Sequence, residues 1–356
     1  MANKLGFSGA DVRLIGICVL AAAATFAARQ LDLGDIAPFV IAAIALALLA
    51  TLVGRSVEAL GDRLGAGLTG VVQSALGNLP ELFVVLFALH AGLIDVVQAA
   101  IVGSILANVL LVLGLAFTVG GLRHGTQRFG SGPARMISLM LLLSVAALLV
   151  PALTAVLHTP AAGHEVGLSR FVAVILLVLF ALSLPAAIKR DTSATPAVEH
   201  AAPEWPLGVA IGMLALTGVG AAFVSDWFVQ ALEPAIGALH ISQAFAGLVI
   251  VAIAGNAVEN VVGIQLAARN RTDYALSVIL QSPVQIALVL APVVVLAAPL
   301  VGAAGFTLVL PPLLIAALII AVLVAVIVVF DGESNAFEGA TLIALYAIIA
   351  AAFWWG

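Results

Sequence analysis

Charge is what this chain has least of. Asp, Glu, Lys and Arg make up 9% of its 356 residues, against about a quarter in ordinary globular domains, so a water-exposed globular surface is excluded. The few charges sum to −5 and are spread out; no basic stripe exists for nucleic acid, which is excluded as a partner. Cysteine occurs once, at Cys18, so no internal disulfide forms, and its Ala-rich setting marks a packing role. HExxH is missing, and no Ser/His or paired-Asp arrangement lies within the apolar runs. An intramembrane enzyme would have little to work with.

Apolar residues, by contrast, make up 64% of the chain. They fall into runs long enough to cross about 30 Å of hydrocarbon, roughly 20 residues each. Breaks between them predict an all-α membrane protein of about eleven transmembrane helices, near 13–29, 36–57, 65–89, 95–121, 134–157, 169–189, 207–230, 242–267, 273–300, 308–330 and 336–355. The first resembles a signal sequence, with Lys4 and Arg13 ahead of it and small residues near Ala27–Ala28, but is long for one and is read as a retained helix. With a cytoplasmic N-terminus, 11 of the 13 basic residues face the cytoplasm, and only Arg29 and Arg170 face outside. The positive-inside rule then places the C-terminus outside and the protein in a cytoplasmic membrane, the lipid bilayer being its first partner.

The most informative feature is a duplication. Gly77-Asn78-Leu79-Pro80-Glu81 recurs 178 residues later as Gly255-Asn256-Ala257-Val258-Glu259, and the same offset pairs Asp95 with Asp273 and Ser104 with Ser282. Shared polar residues in register carry weight in so apolar a chain. Residues 1–35 then form an extra N-terminal helix, 36–189 a first five-helix repeat, 190–206 a cytoplasmic linker and 207–356 a second repeat. The polar connection starts at Lys189, reaches Trp205 and is read as a solvated surface loop. Five crossings is an odd number, so the second repeat must run through the membrane in the opposite sense. Inverted repeats with interrupted helices in corresponding positions mark the binding site of a transporter.

Each copy places one carboxylate, Glu81 or Glu259, at membrane depth, where ionisable groups are expensive and functional by default. A Gly-Asn pair weakens a helix, and Pro80 removes a donor and releases a carbonyl one turn earlier. Carbonyls freed in hydrocarbon need protein, water or an ion. Beside a glutamate they make an oxygen cage for a hard cation such as Ca²⁺. No Cys or His stands near either motif, which disfavours softer metals. Ser104 and Asn108 share a helical face; Gln281, Ser282 and Gln285 supply similar polarity in the second copy. The predicted cation site is therefore Glu81, Glu259, Asn78, Asn256, Ser104, Ser282, Asn108, Gln285, Gly77 and Gly255. Asp95 and Asp273 read as helix N-caps, and His90 and His240 as interfacial residues at helix ends.

The segments SALGNLPELFVVLFAL with GSILANVLLVLG, and AGNAVENVVGIQLAARN with SPVQIALVLAP, resemble the two signature repeats of the calcium/cation antiporter superfamily. They are similar to its calcium/proton exchanger branch, where GNxxE motifs recur. The resemblance implies an eleven-helix inverted-repeat fold, exchange of cytoplasmic Ca²⁺ or a related cation for protons, and Glu81 and Glu259 as central ligands. The family often has His after the second glutamate; this chain has Asn260, an amide that does not titrate.

Charge balance gives a mechanism. Two empty glutamates carry −2, and one Ca²⁺ or two protons each neutralise them, so Glu81 and Glu259 double as proton carriers. Burying the uncompensated pair is costly, so only neutral forms reorient by alternating access. No cofactor is called for, the ions being cargo. Na⁺-driven or Na⁺(K⁺)/H⁺ exchange stays open at this stage, as does a cation channel, although a selectivity filter needs a continuous polar lining.

Overall fold

A computed structural model of the chain describes residues 6–31, 33–64, 76–191 and 205–355. Its helices are α1 (Gly9–Gln30), α2 (Ile36–Leu64), α3 (Leu79–His90), α4 (Ile94–His124), α5 (Ser131–Val156), α6 (Glu165–Asp191) and α7 (Leu207–Leu239), followed by α8 (Gln243–Gly255), α9 (Ala257–Ala268), α10 (Thr272–Val301), α11 (Pro312–Val329) and α12 (Ala336–Trp354). Two short strands, β1 (Gln127–Arg128) and β2 (Glu333–Ser334), pair antiparallel. Among the described residues nine helices are long and apolar enough to span a membrane, or ten when the bent pair formed by α8 and α9 counts as one. The expected span 65–89 begins outside the described residues; within them it continues as the 12-residue α3.

The helices outrun the apolar stretches at several polar ends. α7 continues past Asp226, Gln230 and Glu233 through Pro234 to Leu239, because helical hydrogen bonding does not stop where the hydrocarbon does. α1 starts at Gly9, not at residue 13, because Ser8 and Asp11 form a capping box that satisfies the first free N–H groups.

Close contacts divide the chain into two compact units, 1–87 with 178–240, and 88–177 with 241–356. In the first, α2 packs along α7, with Phe39 stacked on Phe228 at 5.1 Å, and α1 lies on α2, where the buried Cys18 thiol donates to the Leu48 carbonyl at 3.2 Å. Buried Asp11 accepts from Trp205 Nε1 at 3.1 Å and pairs with Arg55 at 3.2 Å, tying the starts of α1 and α7 to the end of α2. Trp205 is fully buried, so the connection expected to be a solvated loop ends in a packed aromatic. Its residues 192–204 lie outside the described set.

In the second unit successive loops fall at alternate ends. At one end β1 pairs with β2, Phe129 N–H donates to the Gly332 carbonyl at 2.9 Å, Gly130 N–H donates to Asp273 at 2.6 Å, and His124 meets the Ala268 carbonyl at 3.0 Å. At the other, His90 meets the Val301 carbonyl at 3.0 Å, Gln98 Nε2 donates to the Val309 carbonyl at 2.9 Å, and Arg170 donates to that of Ala304 at 3.0 Å. Arg123, Arg128, Arg135, Arg269 and Arg271 cluster towards the first end. Asp95 and Asp273 are not the caps expected of them. The cap positions are Leu93 and Arg271, and both carboxylates sit in the first turn, where the helix dipole favours a negative charge.

Candidate functional site

Both GNxxE segments lie at helix starts. α3 begins with Leu79-Pro80-Glu81 and α9 with Ala257-Val258-Glu259, so each glutamate is the third residue of a helix that opens after Gly-Asn. First-turn carboxylates face the unsatisfied N–H groups and the positive end of the dipole. Pro80 occupies the second helical position, where no donor is needed; Leu76, just before the Gly-Asn turn, is also helical, and residues 65–75 lie outside the described set. Asn78 closes the first turn by accepting Leu82 N–H at 2.9 Å. Gly77 precedes it in the same half-buried turn. Glu81 itself is 1% exposed. In the second copy Gly255 ends α8, and the chain bends by 63° about Asn256. The Glu259 side chain lies outside the described residues.

The second unit gathers four of the predicted ligands. Ser104 and Asn108 come from α4, Asn256 from the α8–α9 bend and Ser282 from α10, and all are buried. Asn256 Nδ2 donates to Ser104 Oγ at 3.0 Å and to the Ala252 carbonyl at 2.9 Å. Asn108 Nδ2 lies 2.9 Å from the Ser104 carbonyl and 3.3 Å from both Asn256 Oδ1 and Ser282 Oγ. The amide hydrogens are thus absorbed by protein acceptors, whereas Asn108 Oδ1 is buried with no donor. Leaving a buried acceptor unsatisfied costs about 1–3 kcal/mol, unless a cation, proton or water meets it. Gln285 sits half-buried at the end of the regular part of α10.

Two backbone features were not legible in the residues. α4 widens to a π-helix over Ala107–Val112 and α10 over Ile286–Leu290, and the 178-residue offset places these one upon the other. A π turn departs from i→i−4 pairing, and such bulges concentrate at functional sites. Their apolar sequences, ANVLLV and IALVL, carry no sign of it. The second feature is a close crossing. A Cβ at Gly103 would collide with the Leu248 carbonyl oxygen, and one at Gly247 with that of Val96. Reciprocal glycines let α4 and α8 approach backbone to backbone, which brings Ser104 against Asn256.

One polar group was seen in the sequence only as a departure. Asn260, one turn beyond Asn256, has a buried Oδ1 without a donor, so it offers a second unmet oxygen on α9. Among the described residues no group of three or more His, Cys, Asp or Glu could hold a metal; the convergent donors are neutral oxygens, which suit a hard cation once carboxylates join them.

The profile of the family described as sodium/calcium exchanger protein matches residues 35–189 and 209–355. The chain is 34% identical over 339 residues to the Ca²⁺/H⁺ antiporter of Aphanothece halophytica, covering 90% of each chain. It is 34% identical over 329 residues to the Ca²⁺/H⁺ antiporter ChaA of Bacillus subtilis (strain 168), covering 88% of this chain and 91% of that one. Its fold is similar to the solved structure of native YfkE, with a TM-score of 0.82 at 29% identity over 96% of this chain and 99% of the other.

Proposed function

The chain belongs to the sodium/calcium exchanger protein family, and on that premise we propose that it is a secondary active antiporter exchanging Ca²⁺ for protons across a membrane. One observation carries this reading. A cluster of neutral polar side chains, Ser104, Asn108, Asn256 and Ser282, is buried among helices of which several are long and apolar enough to span a membrane, with Asn108 Oδ1 unmet. Relatives at 34% identity are named Ca²⁺/H⁺ antiporters, which favours protons over sodium as the coupling ion. A channel fits poorly with a closed knot of side chains, and the family is one of transporters, not enzymes.

In this reading Glu81 and Glu259 each lend a carboxylate, and the neutral oxygens of Asn78, Asn108, Asn256, Ser104, Ser282 and Gln285 complete the shell. Gly77 and Gly255 open the backbone beside it. Ca²⁺ neutralises the pair, and so do two protons. Burial of the doubly charged, empty form is disfavoured by desolvation and mutual repulsion, so the empty site does not cross and leak is suppressed. With two protons per Ca²⁺, one pH unit supplies about 2 × 1.4 kcal/mol, roughly a hundredfold Ca²⁺ gradient.

The full architecture we propose is eleven spans, an extra helix at 1–35 followed by inverted repeats at 36–189 and 207–356, with the N-terminus cytoplasmic. Supporting it are the alternation of loops in the second unit and the arginines gathered at one of its ends. The test is Ca²⁺ uptake into proteoliposomes under an imposed pH gradient, with Na⁺, K⁺ and Mn²⁺ compared. Uptake driven by the pH gradient and blocked by Glu81→Gln supports the reading; uptake that ignores pH and follows a Na⁺ gradient overturns it.

A further inference from the structure

The α5–α11 pair bears a feature that ion exchange does not use. Along the bilayer-depth stretches Ala134–Val156 and Pro312–Val329 the two helices leave an apolar groove of about 270 Å³. It is lined by Leu142, Ala146, Leu149 and Leu153 from α5 and by Ile319 and Leu323 from α11. No polar side chain lines it, so it attracts hydrocarbon and not an ion.

The groove has a charged end. Arg135, Leu142 and Leu149 are spaced by seven residues on α5, and Leu323 and Phe330 by seven on α11. Seven residues are close to two turns, so each set shares one helical face, with about 10 Å between successive members. Arg135 and Phe330 therefore stand two turns beyond the groove on the faces that line it. The guanidinium lies over the Phe330 ring at 4.5 Å, a contact that orients it while leaving its donors available. Phe330 is 54% exposed, an aromatic at the level where apolar spans meet water. Among the described residues no carboxylate pairs with Arg135, whereas Arg128, at the same end, is paired with Glu333 at 3.1 Å.

We propose that this is a binding site for an anionic phospholipid, with one acyl chain in the α5–α11 groove and the headgroup phosphate on Arg135. The spacing suits a lipid of the leaflet on the arginine-rich side, because hydrocarbon begins about two turns below the phosphate contact. Arginine favours phosphate through its planar fork of donors, and a negative headgroup complements a cation that no carboxylate among the described residues pairs. A zwitterionic lipid would fill the groove equally well but gain less at Arg135.

The test measures binding and is independent of transport. Delipidated protein is mixed with phosphatidylglycerol or phosphatidylcholine, and retained lipid is counted by native mass spectrometry. Wild type should retain phosphatidylglycerol in preference. Arg135→Gln should lower that retention about fivefold, the equilibrium change expected of one basic residue at an anionic surface, and leave phosphatidylcholine unchanged. Arg135→Lys should keep most of the preference, Ala146→Phe should reduce both lipids by filling the groove, and Arg128→Gln should change neither. Equal retention of the two lipids by wild type, or an Arg135→Gln variant that behaves as wild type, would overturn the site. So would efficient disulfide cross-linking between copies through Ala146→Cys, which would show that a second copy of the chain covers the groove.

Discussion

At the scale of single residues the account turns on oxygen atoms and their charges. Glu81 is buried in the first turn of α3, and Glu259 holds the same helical position in α9. Glu81→Gln or Glu259→Gln should lower Ca²⁺/H⁺ exchange about a hundredfold or more, since a buried ion that loses its partner costs about 3–5 kcal/mol. Folding should survive, because the amide resembles the protonated acid; size-exclusion profiles and vesicle flux assays check the two halves of this statement. Asn108 and Asn260 make a milder pair. Each holds a buried Oδ1 that no donor meets, so Asn108→Ala and Asn260→Ala should weaken Ca²⁺ roughly tenfold, as for one hydrogen-bonding partner of a charge. Neither amide titrates, so the proton requirement should persist in both. An Asn260→Ala variant that transports Ca²⁺ without a proton gradient would return proton coupling to that position.

At the scale of helices the decisive contact is the crossing of α4 and α8. Gly103 and Gly247 each face backbone of the other helix, so Gly103→Ala must push the pair apart. Overpacking costs about 1–3 kcal/mol, and here it should also separate Ser104 Oγ from Asn256 Nδ2, 3.0 Å apart. Thermal unfolding should shift down and Ca²⁺ affinity fall together, whereas Gly132→Ala, which has nothing within 4 Å, should do neither. The apolar spans and the Gly-Asn breaks were legible in the residues, because hydrophobic length and helix-weakening pairs act locally. Ser104, Asn108, Asn256 and Ser282 were legible as members of one site, but the hydrogen bonds that tie them to one another were not, since those depend on how the helices pack. Pro80 was legible as a residue of the break, and the start of α3 at Leu79 places it in the first turn after Gly77-Asn78. The π turns in α4 and α10 left no mark because their segments, ANVLLV and IALVL, are as apolar as the spans around them. Trp205 was read with its polar neighbours, while its burial follows from the distant Asp11.

At the scale of the whole molecule the claims concern sidedness and charge. Cysteines placed at His164 and Gly302 should react with an impermeant thiol reagent from one side, and one at Thr126 only from the other, in a Cys18→Ala background. Thr126 is exposed between α4 and β1, at the end where Arg123 and Arg128 gather, so its side should be the cytoplasmic one. Labelling of all three positions from one side would contradict the alternation of loops and the eleven-span arrangement with it. Acidification of the Ca²⁺-loading side should slow uptake, because protons and Ca²⁺ compete for the same two carboxylates.

The central claim is that one Ca²⁺ and two protons are interchangeable charges on a single site, and flux at clamped voltage tests it most directly. In proteoliposomes of wild-type protein, Ca²⁺ uptake and proton release would be recorded together while potassium and valinomycin fix the membrane potential. The account predicts two protons per Ca²⁺, a rate that does not change with the imposed potential, and loss of both fluxes in Glu81→Gln. A rate that rises steeply with potential, or Ca²⁺ uptake driven by a Na⁺ gradient with no proton movement, would contradict it.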